Sequence, residues 1–76
     1  KQNDRILKLG MECNDVLWIK KVLTKIKVTN WDYDKLGGEF DKPTENAVKR
    51  FQKATGLEED GIVGPNTWKM LRYKSN

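Results

Sequence analysis

Gly38-Glu39-Phe40-Asp41-Lys42-Pro43-Thr44-Glu45-Asn46-Ala47-Val48 and Gly61-Ile62-Val63-Gly64-Pro65-Asn66-Thr67-Trp68-Lys69-Met70-Leu71 carry one message twice. Aligned without a gap, Gly38 falls on Gly61, Phe40 on Val63, Thr44 on Thr67, Ala47 on Met70 and Val48 on Leu71. The shared grammar is a glycine, an apolar residue two positions on, a threonine four beyond that, then apolar residues at helical spacing. It describes a tight turn that buries one side chain and starts a helix. Thr44 and Thr67 are the expected N-caps, because a threonine hydroxyl can take up a free amide of the first turn.

Working outward, Val16, Ile19, Leu23 and Ile26 form one apolar stripe of helical period, widened by Val22, with Asn14 or Asp15 as the cap of a first helix. That helix should fail near Val28-Thr29-Asn30, where β-branched residues meet a turn former. Residues 30–38 read as a polar loop interrupted by Trp31, Tyr33 and Leu36, closed by the pair Gly37-Gly38. Ala47, Val48, Phe51 and Ala54 share a face of the second helix, and Gly56 stands where a left-handed residue ends it. Trp68 and Leu71 point a short third helix inward, and Arg72, Tyr73 and Lys74 run out into a frayed tail. The expected core is Leu7, Leu9, Val16, Ile19, Leu23, Ile26, Phe40, Val48, Phe51, Leu57, Ile62 or Val63, Trp68 and Leu71. The fold class that follows is mostly α: a small three-helix bundle with two repeated glycine-turn and helix-cap units.

Seventy-six residues allow one domain, spanning 1–76 with its core in 7–71. At this size only about 60% of the unfolded surface is buried. Apolar residues make up 37% and charged residues 34%, and no apolar run approaches the roughly 20 residues of a membrane-spanning helix. The chain has no initiator Met, and its opening residues lead into no apolar stretch of a secretory leader, so a piece of a longer protein is expected. Cys13 is the single cysteine and histidine is absent. Internal disulfides, Cys/His zinc sites and Ser-His or Cys-His nucleophile pairs are therefore excluded. Cys13 reads as a buried or half-buried thiol. No cofactor is expected. The net charge of +4 is spread along the chain and fits either a solvated surface or attraction to a polyanion.

Gly38-x-Phe40-x-x-x-Thr44-x-x-Ala47-Val48-x-x-Phe51-Gln52 and Gly56-Leu57-x-x-Asp60-Gly61-x-Val63-Gly64-Pro65-x-Thr67-Trp68-x-x-Leu71 together resemble the peptidoglycan-binding domain appended to bacterial and phage cell-wall hydrolases. Leu7-x-Leu9-Gly10 and the first stripe are similar to that family's opening segment, so the resemblance covers residues 7 to 71. This chain departs from the family pattern at four places. Gly37-Gly38 stands for Asp-Gly, Asp41 for Gly, Ile19-Lys20 for Leu-Gln and Lys27-Val28 for Gly-Tyr. The resemblance implies a non-catalytic wall-binding module beside a covalently linked amidase, muramidase or peptidase. It implies action in the extracellular cell wall, or on a host wall if phage-encoded.

Implied partners are peptidoglycan, through glycan or stem peptide, and anionic wall polymers, with neither nucleic acid nor membrane. Ligand candidates are the aromatic residues without a periodic reason for burial: Trp31 and Tyr33 in the loop, and Trp18 off the first stripe. Such rings pack on sugar C–H surfaces and hydrogen-bond at their polar tips, yet each can also serve as a core lid or edge. Asp60 and Asn66 at the second turn complete the set, Asp60 having turn amides as its first calling. The glutamine of Phe51-Gln52 reads as a tie between helix and turn. A helix N-terminus could receive a stem-peptide carboxylate, where the caps leave room. Glu58, Glu59 and Asp60 are adjacent acids, whereas a glycosidase needs two carboxyls about 5–9.5 Å apart across a cleft. Two alternatives stand: a small basic nucleic-acid-binding helical domain, with Asn46, Lys49, Arg50 and Lys53 outward on the second helix, or a protein-interaction module docking its own catalytic domain.

Overall fold

The computed structural model describes residues 6–75, and the reading of residues 1–5 lies outside them. The described residues form three α-helices, α1 (Asn14–Lys25), α2 (Lys42–Ala54) and α3 (Pro65–Ser75), with a 3-10 turn at Tyr33–Lys35. α1 packs against both α2 and α3, which gives the expected small helical bundle. Extended pairing among the described residues is limited to two isolated antiparallel bridges, Leu7 with Val63 and Glu12 with Glu39.

Those bridges explain why the turn occurs twice. Leu7 and Val63 exchange backbone hydrogen bonds of 3.1 and 2.8 Å. At the equivalent place in the first unit, the Phe40 N–H donates to the Met11 carbonyl at 2.7 Å, and the Phe40 carbonyl accepts from the Gly10 N–H at 2.9 Å. The opening segment thus runs past both turns and fastens each plug by its backbone, while the side chains of Phe40 and Val63 are buried. The aligned glycines serve different ends. Gly61 sits at φ +73°, where a side chain is strained. Gly38 instead lets two backbones meet, since a Cβ there would lie 2.7 Å from the Cys13 carbonyl oxygen.

Helix starts differ from the sequence reading in each case. The cap of α1 is Cys13, ahead of Asn14 and Asp15, because Cys13 is pinned by its N–H to the Gly38 carbonyl at 3.1 Å. Asp15 then falls in the first turn, where negative charge suits the helix dipole. The cap of α2 is Asp41, not Thr44: its carboxylate accepts from the Thr44 N–H at 3.2 Å and from the Thr44 hydroxyl at 2.6 Å. α3 likewise begins two residues before Thr67, with Pro65 at the first position, where its missing N–H costs nothing. Both threonines sit three residues inside the turn that leads into their helix.

Helix ends follow one geometry. At α2, Gly56 adopts φ +78°, its N–H reaches the Lys53 carbonyl and the Leu57 N–H returns to the Gln52 carbonyl. At α1 the same 6→1 and 5→2 pair is made by Val28 to Leu23 and Lys27 to Thr24, but the left-handed residue is Lys27 at φ +68°. A Cβ in that region is strained. Lys27→Gly should therefore raise stability by about 0.5–1 kcal/mol, after the added entropy of the unfolded chain is counted. A thermal melt with no upward shift would count against the strain.

The core comprises Leu7, Val16, Ile19, Val22, Leu23, Phe40, Ala47, Val48, Phe51, Val63, Trp68 and Leu71. Leu9 was expected among them but is exposed, because the chain turns at Leu9-Gly10 and Gly10 takes φ +97°. Of the pair Ile62 and Val63, Val63 faces in and Ile62 out. Leu57 is half-buried, Ile26 half-buried against the core, and Ala54 exposed. The C-terminal residues stay helical through Ser75, with the Arg72 guanidinium 5.8 Å from the Trp68 ring and Lys25 Nζ donating to the Ser75 carbonyl at 3.3 Å.

Candidate functional site

Lys20 lies four residues after Val16 and three before Leu23, so helical geometry carries it onto the buried side of α1. It is only 5% exposed. Its ammonium donates to the Glu39 carbonyl at 2.9 Å and lies 5.8 Å from the centre of the Trp31 ring. Trp31 is half-buried and packed against the core, and is held at the mouth of a groove of ≈ 370 Å³ between the loop and the start of α2. Lys20, Trp31, Asp32, Lys35, Glu39 and Asp41 supply the polar and aromatic lining, with Leu36, Gly37 and Pro43 beside them. The other flank of Trp31 borders a second depression of ≈ 530 Å³ that includes Lys27, Asn30 and Arg50.

Most of the acids in the groove have internal duties. The Thr44 hydroxyl, then the Thr44 N–H and the nearby Lys20 charge, hold the Asp41 carboxyl below its usual range. That carboxylate fills the amide end of α2, so a ligand carboxylate finds no vacancy there. Asp32 Oδ1 accepts from the Asp34 N–H at 3.2 Å and caps the 3-10 turn. Glu39 contributes its carbonyl to Lys20, and its carboxylate lies over Gly37.

The candidates from the sequence are distributed over three surfaces. Trp31 stands in the groove just described. Trp18 and Tyr33 meet in a separate cleft of ≈ 260 Å³ with Lys21, Val22, Lys25 and Ser75. There Lys21 Nζ lies 5.4 Å from the Tyr33 ring, and Trp18 stacks on Trp68 at 5.5 Å. The described charged residues lining this cleft are both cations. Asp60 and Asn66 border a shallow depression of ≈ 200 Å³ at the second turn. Asp60 Oδ1 accepts there from the Ile62 N–H and from the Gln52 amide, each at 2.9 Å. Gln52, 1% exposed, also donates to the Ile62 carbonyl at 2.9 Å, with the Thr67 hydroxyl sharing one of its two N–H groups at 3.2 Å, and accepts from the Gly61 N–H at 2.9 Å. It is the tie between helix and turn that its position suggested.

Lys20 and the acids around Trp31 are not among the ligand candidates read from the sequence. For Lys20 a signal existed: a charged residue on the apolar stripe, where the resembled family has glutamine. No group of three or more potential metal-ligating side chains occurs among the described residues, and no helix there is long and apolar enough to cross a membrane. On the outer face of α2, Asn46, Arg50 and Lys53 are exposed and Lys49 is half-buried.

The helical bundle with two fastened turns is a known architecture. The family model of the putative peptidoglycan binding domain matches residues 13–71, and the chain belongs to that family. It is a peptidoglycan-binding module. A probable N-acetylmuramoyl-L-alanine amidase of Bacillus licheniformis is 38% identical over 68 residues, which cover 87% of this chain and 18% of the amidase. Among solved structures, a peptidoglycan-binding protein from Clostridioides difficile in complex with glutamine hydroxamate superposes with a TM-score of 0.84 at 32% identity, over 96% of this chain and 44% of that one. The N-terminal domain of SleB superposes with a TM-score of 0.87 at 25% identity over 100% of both chains. The chain spans a third or less of the curated relatives it matches.

Proposed function

We propose that the chain is the wall-anchoring part of a larger cell-wall hydrolase, and that its ligand lies in the groove walled by Trp31. The observation that carries this reading is the half-buried Trp31 ring, held beside the buried Lys20 in a chain whose residues 13–71 match a peptidoglycan-binding family. An aromatic wall offers apolar area to sugar rings or alanine methyls, and the polar lining fixes orientation. The bundle itself performs no chemistry. Its effect is local concentration: a weak grip by a tethered module raises the effective concentration of the catalytic domain at an insoluble polymer. The similarity to the Bacillus amidase supports an amidase, muramidase or peptidase as that domain, working outside the cytoplasm or, if phage-encoded, on a host wall. The cleft of Trp18 and Tyr33, with Lys21 and Lys25 as its charges, suits anionic wall polymers and should add a salt-sensitive component to retention. Asp60 and Asn66 then act at the second turn, Asp60 as its amide acceptor and Asn66 at its rim.

Trp31→Ala should weaken retention on purified sacculi about three- to tenfold, the range of one aromatic contact. Because the ring also packs on the core, the pull-down belongs well below the melting range of the variant, checked by circular dichroism. Undiminished retention of a folded Trp31→Ala chain would remove the groove from the reading.

A further inference from the structure

We infer that the groove beside Trp31 takes the charged stem peptide of peptidoglycan rather than its glycan strand, with Lys20 receiving a carboxylate of that peptide. This rests on the wall-binding reading above and names its ligand.

A buried ammonium is costly unless it is paired. Lys20, 5% exposed, has three donors, of which the Glu39 carbonyl takes one. The Trp31 face, 5.8 Å away, offers quadrupole attraction but no lone pair along a hydrogen bond. The Asp41 carboxylate feels the Lys20 charge, but its Oδ1 is committed to capping α2. The cation therefore lines the groove with hydrogen-bonding capacity left over, and charge-assisted contacts are the strong ones.

The two components of the wall differ in the property that matters here. The glycan is a chain of N-acetylated sugars, and its lactyl carboxyl is consumed in the amide that attaches the peptide. The stem peptide keeps free carboxylates and, until cross-linked, the amine of its dibasic residue. A neutral sugar in the groove would cover Lys20 without supplying an anion, which is the arrangement that discriminates against it. A peptide supplies a carboxylate to Lys20, an alanine methyl to the Trp31 ring, and an amine to the rim acids Asp32 and Glu39.

The test is an 15N NMR titration of the 76-residue chain with three probes. These are L-alanyl-γ-D-glutamyl-L-lysyl-D-alanine, the same peptide with both carboxyls amidated, and N-acetylchitotetraose. The free peptide should shift the Trp31 indole N–H and the Lys20 amide, and amidation should weaken binding about tenfold, as loss of a charge-assisted hydrogen bond does. Lys20→Gln and Lys20→Met should bind both peptides equally. Equal affinity for the two peptides in the unsubstituted chain overturns the inference without needing any variant to fold, and so does a response to chitotetraose alone at the same signals. A sacculus pull-down run in parallel separates the two levels. Retention without a peptide response overturns the ligand assignment only, whereas absence of retention overturns the wall-binding reading itself.

Discussion

Gln52→Ala should lower the melting midpoint further than any other polar substitution in this chain. One amide joins four groups across the second turn: Asp60, the Ile62 carbonyl, the Thr67 hydroxyl and the Gly61 N–H. Each buried group left without its partner costs about 1–3 kcal/mol. Asp60 is exposed and can turn to water, but Thr67 and Gly61 are buried and cannot. A loss of about 3 kcal/mol follows, which at about 4–8 °C per kcal/mol is a fall of about 12–24 °C. Gln52→Met separates the two components, because it keeps the volume and removes the hydrogen bonds. It should cost nearly as much as Gln52→Ala, and the Gly61 amide should exchange quickly with solvent in both. A Met variant as stable as the parent would show that Gln52 acts by filling space alone.

The helices and their buried faces were legible because burial repeats with the helical period: Val16, Ile19, Val22 and Leu23 on α1, Ala47, Val48 and Phe51 on α2, Trp68 and Leu71 on α3. The stop at Gly56 was legible because only a residue tolerant of positive φ serves there. The helix starts were not. A threonine three residues inside a helix start looks the same on paper as a threonine cap. What decides is the residue at the bend, Asp41, together with a backbone pairing from a segment some thirty residues earlier in the chain. The opening segment gave no sign of bridging both turns, since hydrogen bonds between backbones leave no mark in side-chain periodicity.

The four departures from the family pattern fall at structural positions. Gly37, in the place of the aspartate, lies under the Glu39 carboxylate, Asp41 caps α2, Lys20 enters the groove, and Lys27 takes the left-handed bend. The candidate site was legible only in part for a related reason. Trp31, Tyr33 and Trp18 were singled out for lacking a periodic reason to be buried, which says nothing about which of them share a surface. That depends on how the loop folds over α1, and the fold sends Trp31 to one side and Tyr33 with Trp18 to another.

Phe40→Ala should bring the whole domain close to unfolding and take the groove with it. The ring is 2% exposed, and truncating a buried phenylalanine costs about 3–5 kcal/mol. A domain of this length holds about 4–11 kcal/mol in total, at about 0.05–0.15 kcal/mol per residue. The equivalent plug of the second unit is smaller, so Val63→Ala should cost less, within the about 1.5–3 kcal/mol that burial of the entire side chain is worth. The two positions share their backbone fastening to the opening segment, so the contrast isolates side-chain volume. Urea unfolding should show the difference as separated midpoints at similar slopes. The functional consequence runs through the neighbouring residue. The Glu39 carbonyl that holds Lys20 precedes Phe40 directly, and both depend on the ring to stay seated. At a temperature where Phe40→Ala is still folded, its sacculus retention should fall below that of Val63→Ala. Equal midpoints for the two variants would place the organising centre of the core elsewhere, and equal retention would uncouple the plug from the groove.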